Sequence, residues 1–116
     1  MTYEQALEAA REGNPVKAWH IDGATKITTV YQRITRVGVW FVEKDGKLVP
    51  SEYVELLSAG GGSVTHSGPE RCEFATEDEL KTELEKREAE WRKKVRKGGR
   101  ADGYQGAGYK EADGRA

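Results

Sequence analysis

Residues 37–57 read VGVWFVEKDGKLVPSEYVELL, and the fold turns on them. The first part, Val37–Glu43, sets Val39, Trp40, Phe41 and Val42 in a row, so a strand here is apolar at both parities. Such a strand is buried on both sides, or covered by a helix on one. Asp45-Gly46 follows and is the strongest hairpin signal in the chain, because a type I′ turn needs positive φ at both central residues. Lys47–Pro50 and Glu52–Leu57 continue the meander, with a break expected near Pro50-Ser51.

Working outward, the flanking segments read as further short strands. Val16–Ile21 and Lys26–Thr35 lie on either side of an Asp22-Gly23 turn, and the second is rich in the Ile, Thr, Val and Tyr that suit a pleated surface. Gly60-Gly61-Gly62 turns the chain into Ser63–Ser67, and Gly68-Pro69 separates that strand from Arg71–Phe74. Period-two alternation sends Cys72 and Phe74 to one face. Several short strands with tight turns in about sixty residues predict a small closed barrel, which removes exposed strand edges. The expectation is an α+β fold with a small SH3-like β-barrel, an OB-like barrel being the second choice.

Two helices bracket these strands. Thr2 and Gln5 form a capping box, Tyr3, Ala6, Leu7 and Ala10 make one apolar stripe, and Gly13 with Pro15 ends the helix, giving residues 3–12. Thr76 and Glu79 form a second box, after which nothing breaks a helix from Glu77 to about Lys97. Leu80, Leu84, Trp91 and Val95 fall in one narrow stripe of it, suited to a contact line on the barrel or to a two-helix seam in a homodimer. Residues 98–116 are glycine-rich, with no aliphatic side chain larger than alanine, and read as a flexible tail. The expected organisation is thus 1–75 helix plus barrel, 76–97 basic helix and 98–116 tail.

Charge is unevenly spread. The 116 residues carry a net −1, yet residues 1–85 hold nine Lys/Arg against fifteen Asp/Glu, a net of −6. Residues 86–116 hold ten against five, a net of +5. With 36% apolar and 34% charged residues, the core should be small and much of the surface solvated or covered by a partner. One cysteine excludes an internal disulfide and the multi-cysteine zinc patterns. No signal peptide or membrane-length apolar run is visible, so a reducing cytoplasm is the expected location.

Chemistry is sparse. His20 with Asp22, and His66 with Cys72, match no metal-site spacing, and the glycine run at 60–62 lacks the lysine of a phosphate loop. Cys72, alternating inward, reads as a buried thiol rather than a nucleophile. No cofactor and no enzymatic activity are expected. Binding residues are the better candidates. Trp19 and Tyr53 are the surface aromatics, while Trp40 is expected in the core beneath the helices. Arg87, Trp91, Arg92, Lys93, Lys94, Arg96, Lys97 and Arg100 form a basic segment suited to nucleic-acid phosphate, with Trp91 able to stack on a base.

M-T-Y-E-Q-A at the start, G-N-P-V at Gly13–Val16, V-E-L-L at Val54–Leu57, and S-V-T followed by G-P-E within Ser63–Glu70 resemble a group of small phage and prophage proteins of Gram-positive gut bacteria. The resemblance covers residues 1–74 and transfers no functional residue. It implies phage accessory biology, in which small proteins bind and inhibit host defence machinery, CRISPR nucleases included. The acidic body would then occupy a basic nucleic-acid channel. Direct DNA or RNA binding through residues 86–100, and a structural phage protein that self-assembles through the Leu84/Trp91/Val95 stripe, are the alternatives. No membrane partner is expected.

Overall fold

The computed structural model of the chain describes residues 1–98. In order, it comprises α1 (Tyr3–Glu12), β1 (Val16–Asp22), β2 (Thr25–Lys44), β3 (Lys47–Ser58), β4 (Val64–Ser67), a 3-10 turn (Pro69–Arg71), β5 (Cys72–Phe74) and α2 (Glu77–Gly98). The chain divides into two units, Met1–Leu84 and Glu85 onward.

Both helix starts form as their capping boxes require. The Thr2 hydroxyl accepts from the Gln5 amide at 3.1 Å while the Gln5 side chain accepts from the Thr2 amide at 2.8 Å. Thr76 and Glu79 repeat the exchange at 3.0 and 2.9 Å. Each box satisfies two backbone donors that a helix start leaves without intrahelical partners. α1 stops where Gly13 takes the left-handed conformation, φ 70°. Its Ala6 and Ala9 are fully buried, and such small side chains let the helix lie close on β2.

The closed SH3-like barrel expected from the sequence does not form. The five strands make one open antiparallel sheet in the order β4-β3-β2-β1-β5, and the edge strands β4 and β5 share no hydrogen bonds. Consecutive in the chain, these edges have only Gly68–Arg71 between them. At about 2 Å of rise per residue, a 3-10 turn cannot span the four spacings of about 4.8 Å that separate the edges of a flat sheet. The sheet must therefore curl. The curl stops short of closure, since β4 and β5 remain unpaired edges.

Several short strands of the sequence reading also merge. The two segments read at 26–35 and 37–43 are one twenty-residue strand, β2, and those read on either side of Pro50-Ser51 are one twelve-residue strand, β3. β2 absorbs the curl at two irregularities, between Tyr31 and Arg33 and between Ile34 and Arg36. A bulge bends the strand and increases its twist. Its extra residues, Gln32 and Thr35, leave the ladder and bond sideways: Gln32 Nε2 donates to the Ala59 carbonyl at 3.2 Å, and Thr35 Oγ1 donates to Glu55 Oε1 at 2.9 Å.

Pro50 does not interrupt β3, and the register shows why. Asp45 and Gly46 have φ of 52° and 78°, the two positive values of a type I′ turn, so the closing pair Lys44↔Lys47 is hydrogen-bonded. Alternation then makes Phe41↔Pro50 a non-hydrogen-bonded pair, and the nitrogen of Pro50 faces away from β2. On that side β4 pairs only with Val54–Leu57, so no donor is missed. The other hairpin turns at Gly23-Ala24, with positive φ at Gly23 alone, the II′ pattern.

The core is small. Val16, Val54, Leu56 and Cys72 are its largest fully buried side chains, joined by Ile34, Ala18 and the two alanines of α1. Cys72 is buried as the alternation predicts, but Phe74, one pleat on, ends β5 in an exposed position. Lys17 Nζ lies 2.8 Å from Glu79 Oε2 and ties β1 to the first turn of α2. That bond lowers the Glu79 carboxyl and raises the Lys17 amine from their ordinary values.

Two outcomes follow from this packing. Leu56→Ala should destabilise the protein by about 3 kcal/mol, read as a shifted urea midpoint at constant slope. For the Lys17–Glu79 pair, a lowered folded value means that the carboxylate's contribution is present above its unfolded value and lost as pH falls through the folded one. A raised amine value means loss as pH rises through the folded value. Glu79→Gln keeps a capping acceptor and should flatten both limbs of the stability–pH curve; an unchanged curve would show the pair to be inert.

Candidate protein-binding surface

β2 and β3 outrun their neighbours. β1 pairs with β2 only from Thr25 to Tyr31, and β4 covers β3 only from Val54 to Leu57. The remainder, from about Val39 to Glu52, is a two-stranded ribbon with both edges uncovered. Its register puts Val39, Phe41, Leu48 and Pro50 on one face and Trp40, Val42, Val49 and Tyr53 on the other. The sequence reading expects the apolar row at 39–42 to be buried on both sides, or covered by a helix on one. The structure exposes it, because the sheet offers no third strand or helix at that height. Phe41 is 64% exposed, Leu48 71% and Val39 51%.

Trp40, expected in the core, is likewise 41% exposed and forms part of a ring cluster. It stacks on Tyr53, with centroids 4.2 Å apart and planes at 17°. The His66 ring on β4 sits 5.4 Å from Trp40 and 5.7 Å from Tyr53. Gly38, opposite Tyr53 in the register, makes the stack possible: a β-carbon there would lie 2.9 Å from the tyrosine ring. The Tyr53 ring covers the glycine and thereby reaches Trp40 on the diagonal.

This cluster forms one wall of a cleft of about 910 Å³. Trp19 on β1 also lines it, with Lys26 Nζ 4.9 Å and Arg71 Cζ 5.0 Å from its ring centre. Two cations against one indole hold the ring by cation–π attraction. Glu52 and Glu70 add negative charge to the lining, and Pro50 and Tyr31 add apolar surface. Behind the cluster, Glu55 accepts from Thr35 Oγ1, lies 3.1 Å from His66 Nε2 and 4.0 Å from Arg36 Nε. The Thr35 hydroxyl, followed by His66 and Arg36, lowers the Glu55 carboxyl from its ordinary value. An open trough with aromatic walls and charges of both signs suits an extended polypeptide better than a small compact ligand.

The residues singled out in the sequence divide between the two units. Trp19 and Tyr53 are half-buried, and both line the cleft. Arg87, Trp91, Arg92, Lys93 and Lys94 are exposed on α2, where Arg92 Nη2 bonds Glu88 Oε2 at 2.8 Å. Arg96 and Lys97 lie in the last turn of α2, and Arg100 falls outside the described residues. Of the narrow stripe on this helix, Leu84, Trp91 and Val95 are exposed.

Cys72 Sγ lies 3.6 Å from the Gly68 carbonyl, and burial raises its thiol from the ordinary value, the wrong direction for a nucleophile. His66 turns instead to Glu55 and the rings. Among the described residues no group of three His, Cys, Asp or Glu is placed to hold a metal ion, and no helix is long and apolar enough to cross a membrane. Sequence reasoning missed Trp40, His66, Arg71 and the ribbon residues Phe41 and Leu48. The available signal was the length of the apolar hairpin around Asp45-Gly46, which exceeds anything the short neighbouring strands can cover.

Gly38→Ala should drive Tyr53 off Trp40 with little loss of global stability, seen as a loss of near-ultraviolet aromatic circular dichroism while the thermal midpoint moves by only a few degrees. An unchanged aromatic signal would mean that the stack does not depend on the glycine. Comparison with known proteins finds no matching family, no similar curated protein and no similar solved structure, so the site stands on its own residues.

Proposed function

We propose that this chain is a non-enzymatic accessory protein of the phage or prophage type that binds a bacterial nucleic-acid enzyme, a CRISPR nuclease being the leading case, and inhibits or modulates it in the bacterial cytoplasm. The exposed two-faced ribbon carries the reading. Contiguous exposed apolar surface of this kind marks an interaction site, and an isolated two-stranded ribbon is marginal in water without cover. Its shape and charges narrow the partner class. Pro50 removes a donor from the free edge of β3, which disfavours strand addition and leaves docking by the faces. Lys44, Asp45 and Lys47 at the tip oppose insertion into a lipid core. From Val39 to Glu52 the ribbon holds two lysines against three acids, a poor match to phosphate. A protein groove meets all three conditions. The net −6 of residues 1–85 further suits an enzyme whose working channel is basic.

The test uses the purified chain with a panel of purified CRISPR effector nucleases. A complex should form with at least one and slow its target cleavage. Phe41→Glu with Leu48→Glu should weaken that complex by at least about thirtyfold, as loss of a buried hot spot does, while circular dichroism and the thermal midpoint stay near wild type. No complex with any nuclease, or a complex indifferent to both ribbon substitutions, would overturn the reading.

A further inference from the structure

From Glu85 onward the helix has its own chemistry. Arg87, Trp91 and Lys94 stand at i, i+4 and i+7, which places them within about 60° of one another on one face. They cover about 10 Å along the axis at roughly 1.5 Å per residue. The middle member of this row is the indole of Trp91, 63% exposed, more open than any other tryptophan in the chain. Lys93 and Lys94 are exposed and pair with no carboxylate among the described residues, whereas Arg92 is held by Glu88 and Arg87 also has a partner within the protein. The stretch from residue 86 to 116 carries a net +5. A helix end rich in cations needs no ligand to explain it, since positive charge there complements the dipole. The dipole, however, gives no reason for a wide-open tryptophan between two cations.

We propose that this row binds a single strand of nucleic acid, with Trp91 stacked on an unpaired base and Lys94 and Arg87 against the phosphates to either side. Charge complementarity supplies the attraction, with counterions released from each neutralised phosphate. Base stacking on an aromatic ring is sequence-tolerant, because every base offers a π face. A duplex would use the cations and leave the indole idle. A membrane surface would need a broad apolar face, whereas Glu88 and Glu90 border the row within about 100° on either side. The row belongs to the second unit, and the proposal does not depend on the function proposed for the ribbon and cleft.

Fluorescence anisotropy of the full chain with a labelled oligonucleotide of about 15 nucleotides tests the assignment. Binding should weaken steeply with salt, and a single strand should bind more tightly than the matching duplex. Trp91→Ala should reduce affinity about tenfold, consistent with the loss of one stacked base, and Trp91→Phe should restore most of it. Lys94→Gln, which leaves the ring in place, should flatten the slope of log affinity against log salt by about 0.7. Far-ultraviolet circular dichroism should show equal helix content in all four proteins. Equal affinity for duplex and single strand, an affinity unmoved by Trp91→Ala, or binding to phosphatidylserine vesicles without binding to the oligonucleotide would each overturn the proposal. The ribbon variants should bind the oligonucleotide as wild type does, which separates this result from the test of the nuclease reading.

Discussion

β2 runs as one strand for twenty residues, and it is the only strand that pairs with both β1 and β3. Its first seven residues serve β1, and everything from Tyr31 on serves β3. The two edge strands must also end close enough for Gly68–Arg71 to join them. A straight β2 could not satisfy both demands. The bends at Gln32 and Thr35 resolve the conflict, and each extra residue finds a hydrogen-bond partner across the sheet rather than being left unsatisfied. The small core then collects on the face that α1 covers, with Leu56, Val54, Val16 and Ile34 around Ala6 and Ala9.

The same constraint leaves the ribbon bare. β1 departs from β2 at Tyr31, and β4 is only four residues long, so nothing accompanies β2 and β3 to their shared turn. Proteins blunt such edges with proline and charge, and Pro50 and the Lys44/Lys47 pair do so here without making the faces polar. The result is a surface protected against indiscriminate strand pairing but still apolar enough to seat in a partner. Gly38, Tyr53, Trp40 and His66 extend it into the cleft, which Trp19 also lines with Lys26 and Arg71 against its ring.

The two parts of the chain carry opposite net charge. The acidic first unit carries the apolar ribbon, a combination that fits a protein with a basic channel. The basic stretch beyond Glu85 carries one exposed indole between cations, a combination that fits a strand of nucleic acid. A partner enzyme that itself holds nucleic acid would present both kinds of surface at once, and two modest contacts on one chain would then reinforce each other through effective concentration.

The sequence by itself determined the local structure. Capping boxes, the left-handed Gly13 and the positive-φ turn at Asp45-Gly46 depend on residues a few positions apart, so Thr2, Gln5, Thr76 and Glu79 could be read directly and α1 came out at residues 3–12. The inward position of Cys72 followed from strand alternation, which is equally local. Half of the cleft was legible as Trp19 and Tyr53, because bulky aromatics on short strands have few places to hide. Only the tertiary structure decided whether the strands closed into a barrel, whether 39–42 was covered, and whether Trp40 faced the core or a neighbour's ring. Burial of a side chain depends on what lies across from it, and the element that might have covered the ribbon would have come from a part of the chain that stops short. An apolar row carries the same letters whether it is buried or bare; the shortness of β1 and β4 beside β2 and β3 set which of the two it became.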